Sequence, residues 1–539
     1  MSKINCIITS QNLSNIQFNP QPMTANNHEE IYIVKNFITQ DTKEKLQTVL
    51  QNLVERSSAN LKRKLIADGL SEEEIEKGIA EGKYIQKSRE ELLALLVESE
   101  CGIGLTGGGD CAGIADFLSA LALNLDPSLV MLGVKNAGAG LIVDPTEFKK
   151  GLIIVDKLLG KDFQGQSSTP YGSARVDAMK VNPENTMANI KSYKFVYGTG
   201  GDDHLGLLAK ISAAFPEKTV AGTFKSIDGD GCIDDKPAQM LGFRTAMLKY
   251  QEDFWAEAQN AETHNQMHVV EFFGRKSGKL VFESARRFPK NFSELSHEEQ
   301  RKITEFRDNI IILAPERPTS LRSIGEEARR IKDSQGNCVI AVAEGFLPPE
   351  LSEEMNRLAQ NEELKGKWQN GTKNTTDSTT NSSININEIH SLVTNQDLAT
   401  LLKKNPRLAA LFGETVWNSK LDSFGNVATL AGIRHFIIAA IQEFGEISKV
   451  NELLENYTAR GATPCEYDSV MGQKIGGKIA EIINTGTVGG HAVVYLEDMD
   501  AMKDEPLVLP LKGISNKNTL NNAALYNDEM LRKNGVFWK

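Results

Sequence analysis

The feature that most constrains this chain is a unit that recurs along it: a short apolar run, then a turn of glycine or polar residues, then helix-like sequence. Cys101-Gly-Ile-Gly-Leu-Thr106 is followed by the glycine-rich turn 107–113 and a helical run over 114–123. Lys194-Phe-Val-Tyr-Gly198, Thr219-Val-Ala-Gly222, Met267-His-Val-Val-Glu-Phe-Phe273, Asn309-Ile-Ile-Ile-Leu-Ala314 and Cys338-Val-Ile-Ala-Val-Ala343 repeat the unit. Strands that alternate with helices specify an α/β architecture, here Rossmann-like three-layer domains with mostly parallel sheets. In such sheets ligands bind beyond the C-terminal ends of the strands, and all of these polar turns fall there.

With 539 residues the chain exceeds one ordinary core, so two domains are expected. The first α/β domain covers 96–250 and is completed by about 460–515. The second covers 251–459. A polar tract at about 366–388 (Asn370-Gly-Thr-Lys-Asn-Thr-Thr and onward) cannot bury a core and reads as a flexible insertion. Residues 1–95 read as a largely helical extension, with apolar spacing of three and four over 42–63 and 71–96 and a capping box at Ser71. Residues 516–539 read as a C-terminal tail.

Charge and cysteine usage narrow the class. A formal net charge of −11 argues against a nucleic-acid-binding surface. No apolar run is long enough for a membrane span, and the N-terminal apolar stretch is too short for a secretory signal. The 6 cysteines are scattered, with no CxxC pair and no zinc spacing, which fits thiols in a reducing cytoplasm.

Two segments carry chemistry. Gly198-Thr-Gly-Gly-Asp-Asp-His204 puts glycines directly before adjacent carboxylates. Gly201 lets backbone approach a phosphate, while Asp202 and Asp203 can hold a divalent cation beside it. Phe224-Lys-Ser-Ile-Asp-Gly-Asp230 sets Asp228 and Asp230 two apart, so both can point the same way. One can take a proton from a hydroxyl, and Lys225 supplies positive charge at the same mouth. Positioned phosphates, a metal, a base and a cation are the parts of phosphoryl transfer. A lone Asp-x-Asp is ordinarily a solvated loop, and glycine triplets are common turns; the order of the loops gives these residues their weight.

Taken in chain order, the turns resemble the phosphofructokinase family over roughly residues 100–495. Thr106-Gly-Gly-Gly-Asp-Cys-Ala-Gly113 is similar to that family's first glycine loop, and Tyr171-Gly-Ser-Ala-Arg175 to the following turn. Gly200-Gly-Asp-Asp203 resembles the metal and donor loop, Lys225 to Asp230 the catalytic loop, and Gly242-Phe-Arg-Thr-Ala246 the helix after it. Glu271-Phe-Phe-Gly-Arg-Lys-Ser-Gly278 resembles the sugar-phosphate strand, Ala343-Glu-Gly345 the sugar-binding glutamate, and Tyr457-Thr-Ala-Arg460 the late arginine motif.

The resemblance implies Asp228 as base, with Lys225 and Arg275 assisting transfer. It implies Gly108, Gly109, Arg175, Gly201 and Asp203 on the donor, and Mg²⁺ on Asp202. It implies Ser226, Asp230, Gly274, Arg275, Glu344, Tyr457 and Arg460 on the sugar phosphate, with the protein acting in the cytoplasm as a homodimer or homotetramer.

The donor is read from two positions. Asp203 after Gly-Gly-Asp, with Lys225 before Ser-Ile-Asp, resembles the long branch that uses pyrophosphate rather than ATP. A carboxylate repels the α-phosphate of a nucleotide, and lysine replaces lost charge stabilisation. The implied reaction is reversible transfer from pyrophosphate to the 1-hydroxyl of fructose 6-phosphate. The alternatives are ATP as donor, another sugar phosphate, or a non-catalytic regulatory subunit. Some positions depart from the family pattern: His204, Phe273 and Tyr457, and Gln266 and Asn451 where arginines that reach a neighbouring subunit's sugar 6-phosphate are expected.

Overall fold

A computed structural model gives the fold. It describes residues 100–286 apart from 127, 156 and 168, then 309–365, 386–418, 432–455 and 458–539. In the first hundred residues it describes only backbone strands at 5–7, 31–35 and 84–88 and positions 71 and 77.

The strands of the two large sheets are, in chain order, β1 (Cys101–Thr106), β2 (Val130–Val134), β3 (Leu152–Val155), β4 (Phe195–Gly200), β5 (Thr219–Phe224), β6 (Met267–Phe272), β7 (Ile310–Leu313), β8 (Cys338–Ala343), β9 (Val450–Leu454), β10 (Gly489–Val494) and β11 (Leu507–Pro510). The first sheet has 7 strands in the order β11-β10-β5-β4-β1-β2-β3. Its inner strands are parallel and its two edge strands antiparallel. The second has 4 strands, β7-β8-β6-β9, all parallel. Every residue of β1, β4, β5, β6, β7 and β8 is buried. This is why these strands read as largely apolar runs, wholly so in β7 and β8, rather than as alternating ones.

Helices cover the sheets. The relevant ones are α1 (Ile114–Asn124), α2 (Asp202–Ala214), α3 (Phe243–His264), α4 (Lys279–Arg286) and α5 (Glu466–Asn484). Gly472 and Gly476 let α5 lie directly on α1; a side chain at either would meet α1 backbone. On α3, Tyr250 meets Phe272 of β6 edge to face at 5.3 Å, tying this helix to the second sheet. Each buried aromatic of this kind contributes about 1.5–3 kcal/mol.

Register decides what meets at the strand ends. Thr106 pairs with Thr199 and Gly200 with Phe224, so the turns after β1, β4 and β5 finish side by side. In the second sheet Phe272 pairs with Ala343, which sets the turn after β6 beside the turn after β8.

Two expectations are revised. Tyr84–Ser88 is a strand, inside the stretch 71–96 whose spacing predicts helix; it pairs antiparallel with Ile31–Lys35, which pairs with Asn5–Ile7. The β-branched and aromatic run Ile-Tyr-Ile-Val supplies a partner that helical spacing in 71–96 does not reveal. The segment 516–539 is no free tail. It packs along both domains, and Val536 bridges to Ile312 of β7. The predicted helix at 42–63 and most of the polar insertion, 366–385, lie outside the described residues. Among the described residues, no helix is long and apolar enough to cross a membrane.

Candidate active site

The first rim of the site is built where β1, β4 and β5 end. Lys225 directly follows β5 and is 2% exposed. Its Nζ donates to the carbonyl oxygen of Gly109. Gly108 has φ +82°, and a Cβ there would stand 3.3 Å from that ammonium, so both backbone and space call for glycine. Ser173 Oγ donates to the Gly108 carbonyl, and Thr106 Oγ1 to that of Gly172 at 2.7 Å. The turn carrying Arg175 is thereby fastened to the glycine loop. Burial, reinforced by the charges of Arg460 and Arg175, brings the Lys225 ammonium down to about 8.

Asp228 and Asp230 lie on the loop after Lys225, and both are half-buried. The Asp228 amide donates to Ser226 Oγ at 3.1 Å. Burial raises the pKa of Asp228 above the usual carboxylate range; Arg460, Arg175 and Lys225 oppose that rise and Asp202 adds to it. Asp230 is pushed up further, by burial and then by the charges of Asp228 and Asp202. Gly201 precedes α2 and borders open space, Asp202 occupies the helix's first turn, and Asp203 beside it is exposed. Arg175 is exposed at the edge of the same cleft.

The second rim lies at the ends of β6 and β8. The Glu344 amide donates to the Phe272 carbonyl at 2.8 Å and that of Gly345 to Gly274 at 3.1 Å. Gly274, Arg275 and Glu344 therefore stand together, and Gly345 has no side chain because Arg275 backbone fills the space. Burial, and then the charge of Asp228, raise Glu344 to about 7. Arg460 reaches from one rim to the other. Its guanidinium donates to the Asp110 carbonyl at 3.4 Å and lies 4.7 Å from the centroid of the Phe273 ring. The rims thus share one cleft, with Asp228 felt from both. Tyr457 lies outside the described residues.

Several residues fall elsewhere. His204 is buried under Gly107 and Gly200, and burial holds it neutral at about 4, so it supports the turns. Cys111 donates to the Leu241 carbonyl at 2.9 Å, and burial pushes its thiol up to about 12, which makes it inert. Gln266 and Asn451 sit at the starts of β6 and β9 and hydrogen-bond to each other at 2.5 Å. His268 joins them and also bonds Glu257 at 2.6 Å. A strand's length, roughly 20 Å, separates this cluster from the Gly274 turn of the same chain. Sequence reading missed Lys279 and Asn518, which bond the carbonyls of Gly229 and Asp230, and Glu497, which pairs with Lys279. No local pattern marks them.

Among the described residues, no group of three or more His, Cys, Asp or Glu side chains closes around a metal. The charge of Asp202 adds to the rise at Asp228, and the charges of Asp228 and Asp202 add to that at Asp230, so the three carboxylates gather negative charge in one place.

The model of the family described as phosphofructokinase matches residues 102–483, and the chain belongs to that family. A pyrophosphate–fructose 6-phosphate 1-phosphotransferase of Amycolatopsis methanolica is 26% identical over 253 residues, 45% of this chain and 64% of that protein. An ATP-dependent 6-phosphofructokinase of Thermosynechococcus vestitus is 26% identical over 258 residues, 47% of this chain and 62% of that protein. Each match spans less than two thirds of the relative's length. The crystal structure of a pyrophosphate-dependent phosphofructokinase from Marinobacter aquaeolei aligns with a TM-score of 0.51 at 12% identity, over 82% of this chain and 88% of that one. That likeness concerns the fold.

Proposed function

We propose that this protein transfers a phosphoryl group from pyrophosphate to the 1-hydroxyl of fructose 6-phosphate. The observation that carries the reading is the position of Asp228: a carboxylate whose pKa is raised, set between three cations of the donor rim and Glu344 of the sugar rim. As base it accepts the hydroxyl proton while the sugar oxygen bonds to the terminal phosphorus. The bridging P–O bond breaks, and phosphate leaves with that electron pair. Lys225, Arg175 and the Gly108-Gly109 loop hold the donor, and Arg275 assists as charge shifts between oxygens. Ser226, Asp230, Gly274, Arg275, Glu344, Tyr457 and Arg460 hold the sugar phosphate. Asp202 would hold Mg²⁺ together with donor phosphates, and the ion would supply neutralising charge.

Relatives carrying both donor names match at similar identity. The donor assignment therefore rests on Asp203 and Lys225. An exposed carboxylate at the first turn of α2 disfavours a longer polyanion, and Lys225 brings a charge to the glycine loop. The test is ³¹P NMR of purified protein with Mg²⁺, fructose 6-phosphate and pyrophosphate. Orthophosphate and a new 1-phosphate ester are expected in equal amounts. Transfer only from ATP, or from neither donor, would overturn the reading.

A further inference from the structure

We propose that Lys279 is a positioning residue for the catalytic loop, acting from behind it in a clamp that the C-terminal segment completes. The proposal rests on the reading of Asp228 as base. Lys279 opens α4 and is 2% exposed. Its Nζ donates to the carbonyl oxygen of Gly229 at 3.2 Å and pairs with Glu497 at 2.5 Å. The same ammonium lies 5.2 Å from the centroid of the Phe243 ring. The next carbonyl, that of Asp230, accepts from the backbone amide of Asn518 at 3.0 Å. Asn518 is 0% exposed, and its Nδ2 donates to Ala238 at 3.4 Å.

Two consecutive carbonyls of Asp228-Gly229-Asp230 are thus held from the side away from the cleft. Gly229 needs this hold. Its φ of +67° is one of several conformations open to glycine, and rotation of the 229–230 peptide would turn the flanking carboxylates. A charged donor on that carbonyl fixes the peptide plane. The buried lysine has its ion-pair partner in Glu497, a residue contributed from beyond β10.

The clamp also joins the rims. Lys279 comes four residues after Arg275. The Glu316 carboxylate accepts from Gly278 at 2.9 Å and from Leu520 at 3.0 Å, tying the start of α4 to the same C-terminal segment.

The test compares Lys279→Met, Lys279→Arg and wild type for kcat, KM and amide hydrogen exchange over 226–233. Lys279→Met is expected to lower kcat on the order of 10- to 100-fold, the cost of a misplaced base, with both KM values within about threefold. Exchange over 226–233 rises while α3 and β8 stay protected. Lys279→Arg recovers most of both, because it restores a charged donor. Unchanged kcat and exchange in the methionine variant would overturn the proposal. So would a loss of protection spread across α3 and β8, which marks a general structural role. If wild type transfers no phosphoryl group from either donor, the function reading fails, while the exchange data still decide whether Lys279 holds the loop.

Discussion

The two rims of the cleft are built differently. The rim proposed to hold the donor carries Lys225, Arg175, Asp202 and Asp203, shares Arg460 with the other rim, and has glycine turns braced by side chains: Lys225 on Gly109, Ser173 on Gly108, Thr106 on Gly172. The rim proposed to hold the sugar carries Arg275 and one carboxylate with a raised pKa, Glu344, and backbone bonds brace it between Phe272, Gly274, Glu344 and Gly345. The difference teaches where charge matters. Changes to the donor rim should alter turnover and its pH dependence. Changes to the sugar rim should alter substrate affinity more than chemistry.

The largest effect is expected from Asp228→Asn, which removes proton transfer while keeping shape. Turnover should fall about 10²- to 10⁴-fold with KM values little changed. Steady-state kinetics check this, and near-normal turnover would erase the contrast between the rims.

Next is pH. Lys225 sits near 8, below the ordinary lysine value, and only its protonated form serves a phosphate. Above that pH, kcat/KM should fall roughly tenfold per unit, and the limb should be absent from the much-reduced profile of Lys225→Met. A flat wild-type profile to pH 9.5 would remove Lys225 from the donor rim's working charges.

The sugar rim should respond more mildly. Glu344 ionises as pH rises through about 7, and the ionised form is the stronger acceptor for a sugar hydroxyl. The KM for the sugar phosphate should fall a few-fold between pH 6 and 8, after correction for the substrate's own ionisation. Glu344→Gln should flatten that change and leave kcat within about threefold. A large kcat loss would place Glu344 in the chemistry instead.

The smallest effect on activity is expected behind both rims. Buried Asp468 accepts from the amide and hydroxyl of Thr245 at 2.7 and 2.6 Å, fastening α5 to α3. Thr245→Val should cost about 1–3 kcal/mol in denaturant unfolding and little turnover. The linkage has a definite sign. Burial raises folded Asp468 to about 6, so its contribution favours the folded state at low pH and is lost as pH rises through 6.

Much of this was legible in the sequence, for physical reasons. Fully buried parallel strands such as β7 and β8 are unbroken apolar runs, and glycines such as Gly200 at the end of β4 mark close backbone approach. Lys225 and Asp228 follow β5 and Glu344 follows β8, so α/β topology sends each to the C-terminal edge of its own sheet. The edge strands β3 and β11 were not legible, because half-exposed short strands carry weak patterns. Lys279 was illegible for another reason: its partners lie 50 and 218 residues away, beyond the reach of any local periodicity. The C-terminal segment looked like a tail because its bonds to Asp230, Glu316 and β7 are all long-range.

The most direct test of the donor rim is kcat/KM for pyrophosphate and for ATP, with fructose 6-phosphate and Mg²⁺, in wild type and in Asp203→Gly with Lys225→Gly. Wild type should prefer pyrophosphate, and the double variant should lose pyrophosphate use while gaining ATP use. A wild type that already prefers ATP would contradict the account.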